Sequence, residues 1–175
     1  MNYYKYENQH RKCTTFRVLL ILAFFSLFLR TALDASVAGN ASQALQNIGT
    51  SDAAVESYTF DLAWFVLCFV ITLPPLNSAL FQIREQGRVL PVLIKYRFAP
   101  VDIAKMYRAK ALLLLRGAVL FYIGSLIIFL AVTFTVFGHN APIAQTMPQL
   151  GYALIFCTVF TGALLLTDWL RYKQH

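Results

Sequence analysis

The chain has 175 residues, a length for one domain, of which 58% are hydrophobic and only 13% charged, with a mean hydropathy of +0.59. Soluble domains average about 45–50% apolar and about 25% charged residues, so both numbers lean toward the membrane. The net charge of +7 would suit nucleic acid, but the basic residues stand beside apolar runs long enough to cross a bilayer. Orientation in the membrane accounts for them, and no nucleic-acid partner is expected.

A hydrocarbon core of about 30 Å needs about 20 predominantly apolar residues in a helix. Four runs qualify, at about residues 16–33, 60–80, 111–137 and 150–170. The expected fold is therefore all-α, a single transmembrane domain of four helices. The first run follows Lys5, Arg11, Lys12 and Arg17 and has an apolar centre from Val18 to Leu29. Those features also fit a signal peptide, with Ser36-Val37-Ala38 as a cleavage site. The expectation is an uncleaved first helix, with Arg30 snorkelling at its outer end.

The connection from Asp34 to Tyr58 is rich in Ala, Ser, Asn and Gln, and its apolar positions suit a short helix lying over the membrane. Asn40-Ala41-Ser42 fits the glycosylation sequon, a pattern that is common by chance. Within the second run, Pro74-Pro75 removes two backbone donors and is expected to kink or break the helix. Asn77 and Ser78 follow, where polar side chains can bond a neighbouring helix. Gly117 and Gly124 leave one face of the third run open to close helix approach. In the fourth, Thr158, Thr161 and Gly162 make a small-residue patch read as a packing face. The second outer connection, Gly138 to Pro148, is uncharged and carries His139.

Basic residues set the orientation. The N-terminal stretch carries the cations named above, and the segment from Arg84 to Arg116 adds Arg84, Arg88, Lys95, Arg97, Lys105, Arg108, Lys110 and Arg116. The tail adds Arg171 and Lys173, whereas Arg30 is alone on the opposite side. The positive-inside rule then places both termini and the middle loop in the cytoplasm.

Asp61, Arg116 and Asp168 fall near predicted span ends, where they can reach the interface, so no ionisable group is expected at the bilayer centre. Cys68 and Cys157 lie within apolar runs and act as small hydrophobes, and with Cys13 they form no metal or disulfide spacing. No acid–base or nucleophile–histidine pair emerges. The expectation is a protein that is not an enzyme and carries no cofactor or metal.

The segment from Phe81 to Arg116 is the most informative. Val89, Leu90, Val92, Leu93, Ile94 and Phe98 alternate irregularly with Arg88, Lys95 and Arg97, and Pro91 and Pro100 punctuate it. From about Pro100, Ile103, Met106, Tyr107 and Lys110 share a helical face, and Asp102 complements the helix dipole. A short amphipathic helix is expected there, running into the third span. A second amphipathic helical piece, from Arg84 to Phe98, would lie on the cytoplasmic surface. Such a basic stretch suits either anionic lipid headgroups or a cytoplasmic protein.

Glu85 with Gly87, Leu90 with Leu93, Pro100-Val101, and Lys110 ten positions after that proline form a pattern. It resembles the loop after the second helix in ABC exporter permeases of the type-two class. That resemblance implies a coupling helix that docks on a separate cytoplasmic ATP-binding subunit, with Glu85, Gly87, Arg88, Leu90, Leu93, Arg97, Pro100 and Lys110 in the coupling segment. The chain departs from the family in a longer gap between Gly87 and Pro100, and in having four spans where the family has six. No Walker motif occurs, so an ATPase would be a separate chain. The resemblance implies a bacterial inner membrane as the location. The alternative expectation is a non-catalytic structural or accessory subunit among other membrane subunits of a larger complex.

Overall fold

The computed structural model describes residues 14–46, 58–85, 88–92, 102–138 and 141–174. Four helices dominate: α1 (Thr14–Gln46), α2 (Leu62–Phe81), α3 (Ile103–Phe137) and α4 (Ile143–Gln174). All four are long and apolar enough to cross a membrane, and the chain reads as an integral membrane protein. α2, with 20 residues, is about 30 Å long and matches a hydrocarbon core; the other three overshoot it.

The helices run up, down, up, down. Trp64 Nε1 at the start of α2 donates to Ser26 Oγ on α1 at 3.0 Å, and Tyr107 near the start of α3 donates to Leu165 O late in α4 at 2.9 Å. α2 and α3 form the middle of the bundle, and each packs on both α1 and α4. α1 and α3 run parallel and close. A Cβ on Gly124 would overlap the Phe24 ring, and one on Gly117 would overlap Leu76 Cδ2 of α2. These two glycines do provide the close approach that the sequence suggested. Between the helices Phe65, Phe69, Phe121 and Phe129 are buried, and Phe65 and Phe69 both meet the Phe121 ring edge-on at 5.5 and 5.4 Å. Part of the phenylalanine content is therefore core. The outer face of α1, with Ile21, Phe25, Leu33 and Val37, is exposed, as a lipid-facing surface would be.

Four features differ from the sequence expectations. α1 does not end near Leu33 but continues to Gln46, so the first part of the expected outer connection belongs to this helix, and residues 47–57 lie outside the described residues. Ala35, Ala38 and Ser42 are buried at helical spacing, and Gly39 lies against Val136 of α3. The small residues that looked like loop are thus an extension of the packing face of α1. Ser42 of the sequon is buried there and donates to Gly39 O at 2.8 Å. α4 begins at Ile143 and has Pro148 inside it, which shortens the second connection. α2 passes through Pro74-Pro75 without interruption, although the two rings deprive the carbonyls of Val70 and Ile71 of their helical donors.

The fourth difference lies between α2 and α3. In place of an amphipathic helix from Arg84, residues 82–91 form an antiparallel hairpin of β1 (Gln82–Glu85) and β2 (Arg88–Pro91), with Ile83 opposite Leu90 and Glu85 opposite Arg88. Only Gln86 and Gly87 separate the two strands in the sequence, and a two-residue connection that contains glycine is a hairpin signal. Residues 93–101 lie outside the described residues, and so do the expected helical start at Pro100 and the candidate residues Leu93 and Arg97. A two-stranded ribbon has open hydrogen-bonding edges that hydrocarbon cannot satisfy, so this end of the bundle projects beyond the apolar core of a membrane.

Candidate functional site

The hairpin end of the bundle holds the most unusual chemistry. α3 starts at Asp102, whose Oδ1 accepts from the Lys105 backbone N–H at 3.1 Å and whose Oδ2 lies 3.1 Å from Lys105 Nζ. The capping hydrogen bond from Lys105, aided by its ammonium, holds the Asp102 carboxyl below the usual carboxylate range. Past this cap, the face predicted from spacing turns inward. Met106 and Lys110 are buried, and Ile103, Met106 and Tyr107 pack with Ile83 and Val92 in a small apolar cluster. The hairpin therefore sits on the first turns of α3 through side chains, not only through the chain.

Lys110 is fully buried. Its ammonium donates to the carbonyl oxygen of Leu80 at 2.8 Å. Leu80 is in the last turn of α2, where carbonyls lack an intrahelical partner; a cation there also favours the negative end of the helix dipole. Three residues earlier on α2, Asn77 Nδ2 donates to Asp168 Oδ2 of α4 at 2.8 Å, and both side chains are buried. Tyr107 completes the set. Its ring lies 5.6 Å from Phe81 and 5.2 Å from Trp169, besides the bond to Leu165 O. Polar and aromatic contacts thus join the ends of α2, α3 and α4 directly beneath the hairpin.

Several expectations change here. Asp168 does not reach for the interface; it is held between helices by Asn77, the side chain that the sequence marked as able to bond a neighbour. Lys110, expected in a coupling segment, has no exposed surface and cannot itself present charge to a partner. Leu90 is 39% exposed on β2, while Glu85 and Arg88 face each other in register at the hairpin tip. Gly87, Pro100, Leu93 and Arg97 are outside the described residues. Thr161 is buried, but Thr158 and Gly162 are exposed, which splits the expected small-residue patch. Cys68 and Cys157 are buried free thiols. Nothing in the spacing pointed to the Asn77–Asp168 pair, whose members are far apart in sequence.

At the opposite end, Arg30 Nε lies 3.1 Å from both Asp34 Oδ2 and Asp61 Oδ2. Asp61 also caps α2, its Oδ1 accepting from the Trp64 N–H at 3.0 Å. These residues line an open pocket of about 480 Å³ with Tyr58 and Phe60. Tyr58 is buried against Phe129 and lies 3.2 Å from Thr133 Oγ1. The Thr133 proton goes to Phe129 O at 2.7 Å, so Tyr58 is the donor. Burial pushes the Tyr58 phenol up, against the lowering effect of the Thr133 contact.

No protein-family model matches the chain, and no curated protein or solved structure does so either.

Proposed function

We propose that the protein is a membrane subunit that links a cytoplasmic partner to its four-helix bundle, with both termini and the hairpin in the cytoplasm. One observation carries the reading. The hairpin is packed on α3, and α3 is joined to α2 by Lys110–Leu80 and to α4 by Tyr107–Leu165. A load applied to the hairpin would pass to the three helices through direct contacts instead of being lost in a loose loop. The concentration of Lys and Arg at this end supports its cytoplasmic placement.

The resemblance to type-two ABC exporter permeases makes an ATP-binding export subunit the partner of choice, with Glu85 and Arg88 paired in register where the two strands meet. A structural or accessory role is the second reading. It is favoured by the hairpin itself, which stands where that family has a coupling helix. Affinity purification of the tagged full-length protein from mild detergent separates the two. Co-purification of an ATPase, and loss of export with Glu85→Ala, are expected for the coupling role. An accessory subunit would bring down membrane proteins without an ATPase, and Glu85→Ala would leave its assembly unchanged. Cysteine accessibility at residues 5 and 173 tests the orientation, since labelling from outside intact cells would reverse it.

A further inference from the structure

A groove of about 470 Å³ opens between the start of α3 and the end of α4, lined by Ala104, Tyr107, Arg108, Gly162, Leu166 and Trp169. We propose that it binds one anionic phospholipid, with the headgroup phosphate at Arg108 and an acyl chain laid over Gly162 and Leu166. The inference does not depend on the coupling role.

Three independent features converge on this occupant. The first is charge: Arg108 is exposed and, among the described residues, forms no ion pair. Arg171 and Lys173 lie in the last turn of α4, while the nearby carboxylates are engaged, Asp168 buried with Asn77 and Asp102 paired with Lys105. Basic pockets between spans are recognised lipid headgroup sites. The second is depth. The Tyr107–Trp169 pair marks the level of a membrane interface, where aromatic side chains concentrate. Gly162 is about 10 Å further along α4 from Trp169, toward the apolar interior, and Leu166 lies between them. The lining thus passes from cation to aromatic to aliphatic in the order of a phospholipid. The third is shape. A Cβ on Gly162 would meet nothing within 4 Å, in contrast with Gly117 and Gly124, where helices fill the space. Glycine here leaves a trough open instead of bringing helices together.

The test uses the full-length protein, purified in neutral detergent and exposed to mixed micelles of dioleoylphosphatidylglycerol or dioleoylphosphatidylcholine. Lipid retained after repurification is measured by mass spectrometry. The expected result is preferential retention of phosphatidylglycerol, with a decrease of about fivefold for Arg108→Gln, the factor that corresponds to ~1 kcal/mol per basic side chain near an anionic surface. Arg108→Lys should restore most of it. Gly162→Leu fills the trough without touching a helix and should reduce retention at least as much. Equal retention of the two lipids would overturn the proposal. So would unchanged retention in Gly162→Leu, which would mean diffuse attraction to a basic surface. Displacement of the lipid by inorganic phosphate at equal concentration would also overturn it, by indicating an anion site with no place for the chain.

Discussion

Lys110 Nζ lies 2.8 Å from the carbonyl oxygen of Leu80, and no part of the lysine is exposed. A lysine on one helix thus closes the C-terminal end of another. Ammonium groups are rarely buried unless their protons are taken up, and this contact supplies an acceptor that the helix end leaves open. Lys110→Met keeps most of the volume and removes the donor. The expected loss is roughly 1–3 kcal/mol, the usual cost of leaving a buried partner unpaired, read as a lower thermal midpoint in detergent. A midpoint at or above that of the unaltered protein would show that the contact contributes nothing.

Asn77 and Asp168 tie α2 to α4. Each single replacement by leucine strands a polar group between helices, whereas replacing both removes the demand for a partner. The double variant should therefore be more stable than the sum of the single effects, by ~1 kcal/mol, within the range found for polar pairs in membrane bundles. Unfolding in detergent or in mixed micelles gives the double-mutant cycle. Additive losses would mean that the two side chains do not interact.

Gly117 and Gly124 meet Leu76 and Phe24 where a Cβ would stand. Alanine at either position must displace a packed side chain, with an expected cost of about 1–3 kcal/mol. Gly151→Ala is the control, since nothing lies within 4 Å of its Cβ. If all three variants melt alike, the helices are not as close as described.

Asp34 and Asp61 share Arg30, but only Asp61 also caps a helix. Their side chains are about a third exposed, so the ion pairs alone are worth at most about 1 kcal/mol. Loss of the cap adds about 0.5–2 kcal/mol. Asp61→Ala should thus lower the thermal midpoint clearly more than Asp34→Ala, and Asp61→Asn should recover part of the difference. Equal effects would assign the whole contribution to the ion pair.

Two groups outside the spans link stability to pH, with opposite signs. The Asp102 carboxyl is held below its ordinary value; its contribution is present above about pH 4 and falls away as pH drops through the lower folded value. The Tyr58 phenol is held above its ordinary value. Its contribution is present below about pH 10 and is lost as pH rises through the higher folded value. In thermal midpoints measured across pH, Asp102→Asn should flatten the acid side and Tyr58→Phe the alkaline side. Unchanged slopes in both variants would contradict these assignments.

The four spans were legible because transfer of an apolar helix into hydrocarbon depends on composition and length, both of which are local. The same is true of the inward face of α3, where Ile103, Met106, Tyr107 and Lys110 recur at helical spacing. Asp102 was legible as a dipole partner, and its capping role follows from the same position. The hairpin is not legible in the same way, because mixed apolar and basic residues suit a membrane-surface helix equally well and only the short Gln86-Gly87 connection favours a ribbon. α1 was predicted too short because Ala35, Ala38 and Ser42 look like loop residues until a partner helix covers them.

By itself, then, the sequence determined that this chain belongs in a membrane, how many times it can cross, and which segments are rich in cations. Those properties come from single residues meeting solvent or lipid. Only the tertiary structure decided that Lys110 closes α2, that Asp168 turns inward to Asn77, and that Arg108 and Gly162 border one groove. Each depends on helices far apart in the chain lying side by side, where the choice of partner is set by packing geometry and not by any local pattern.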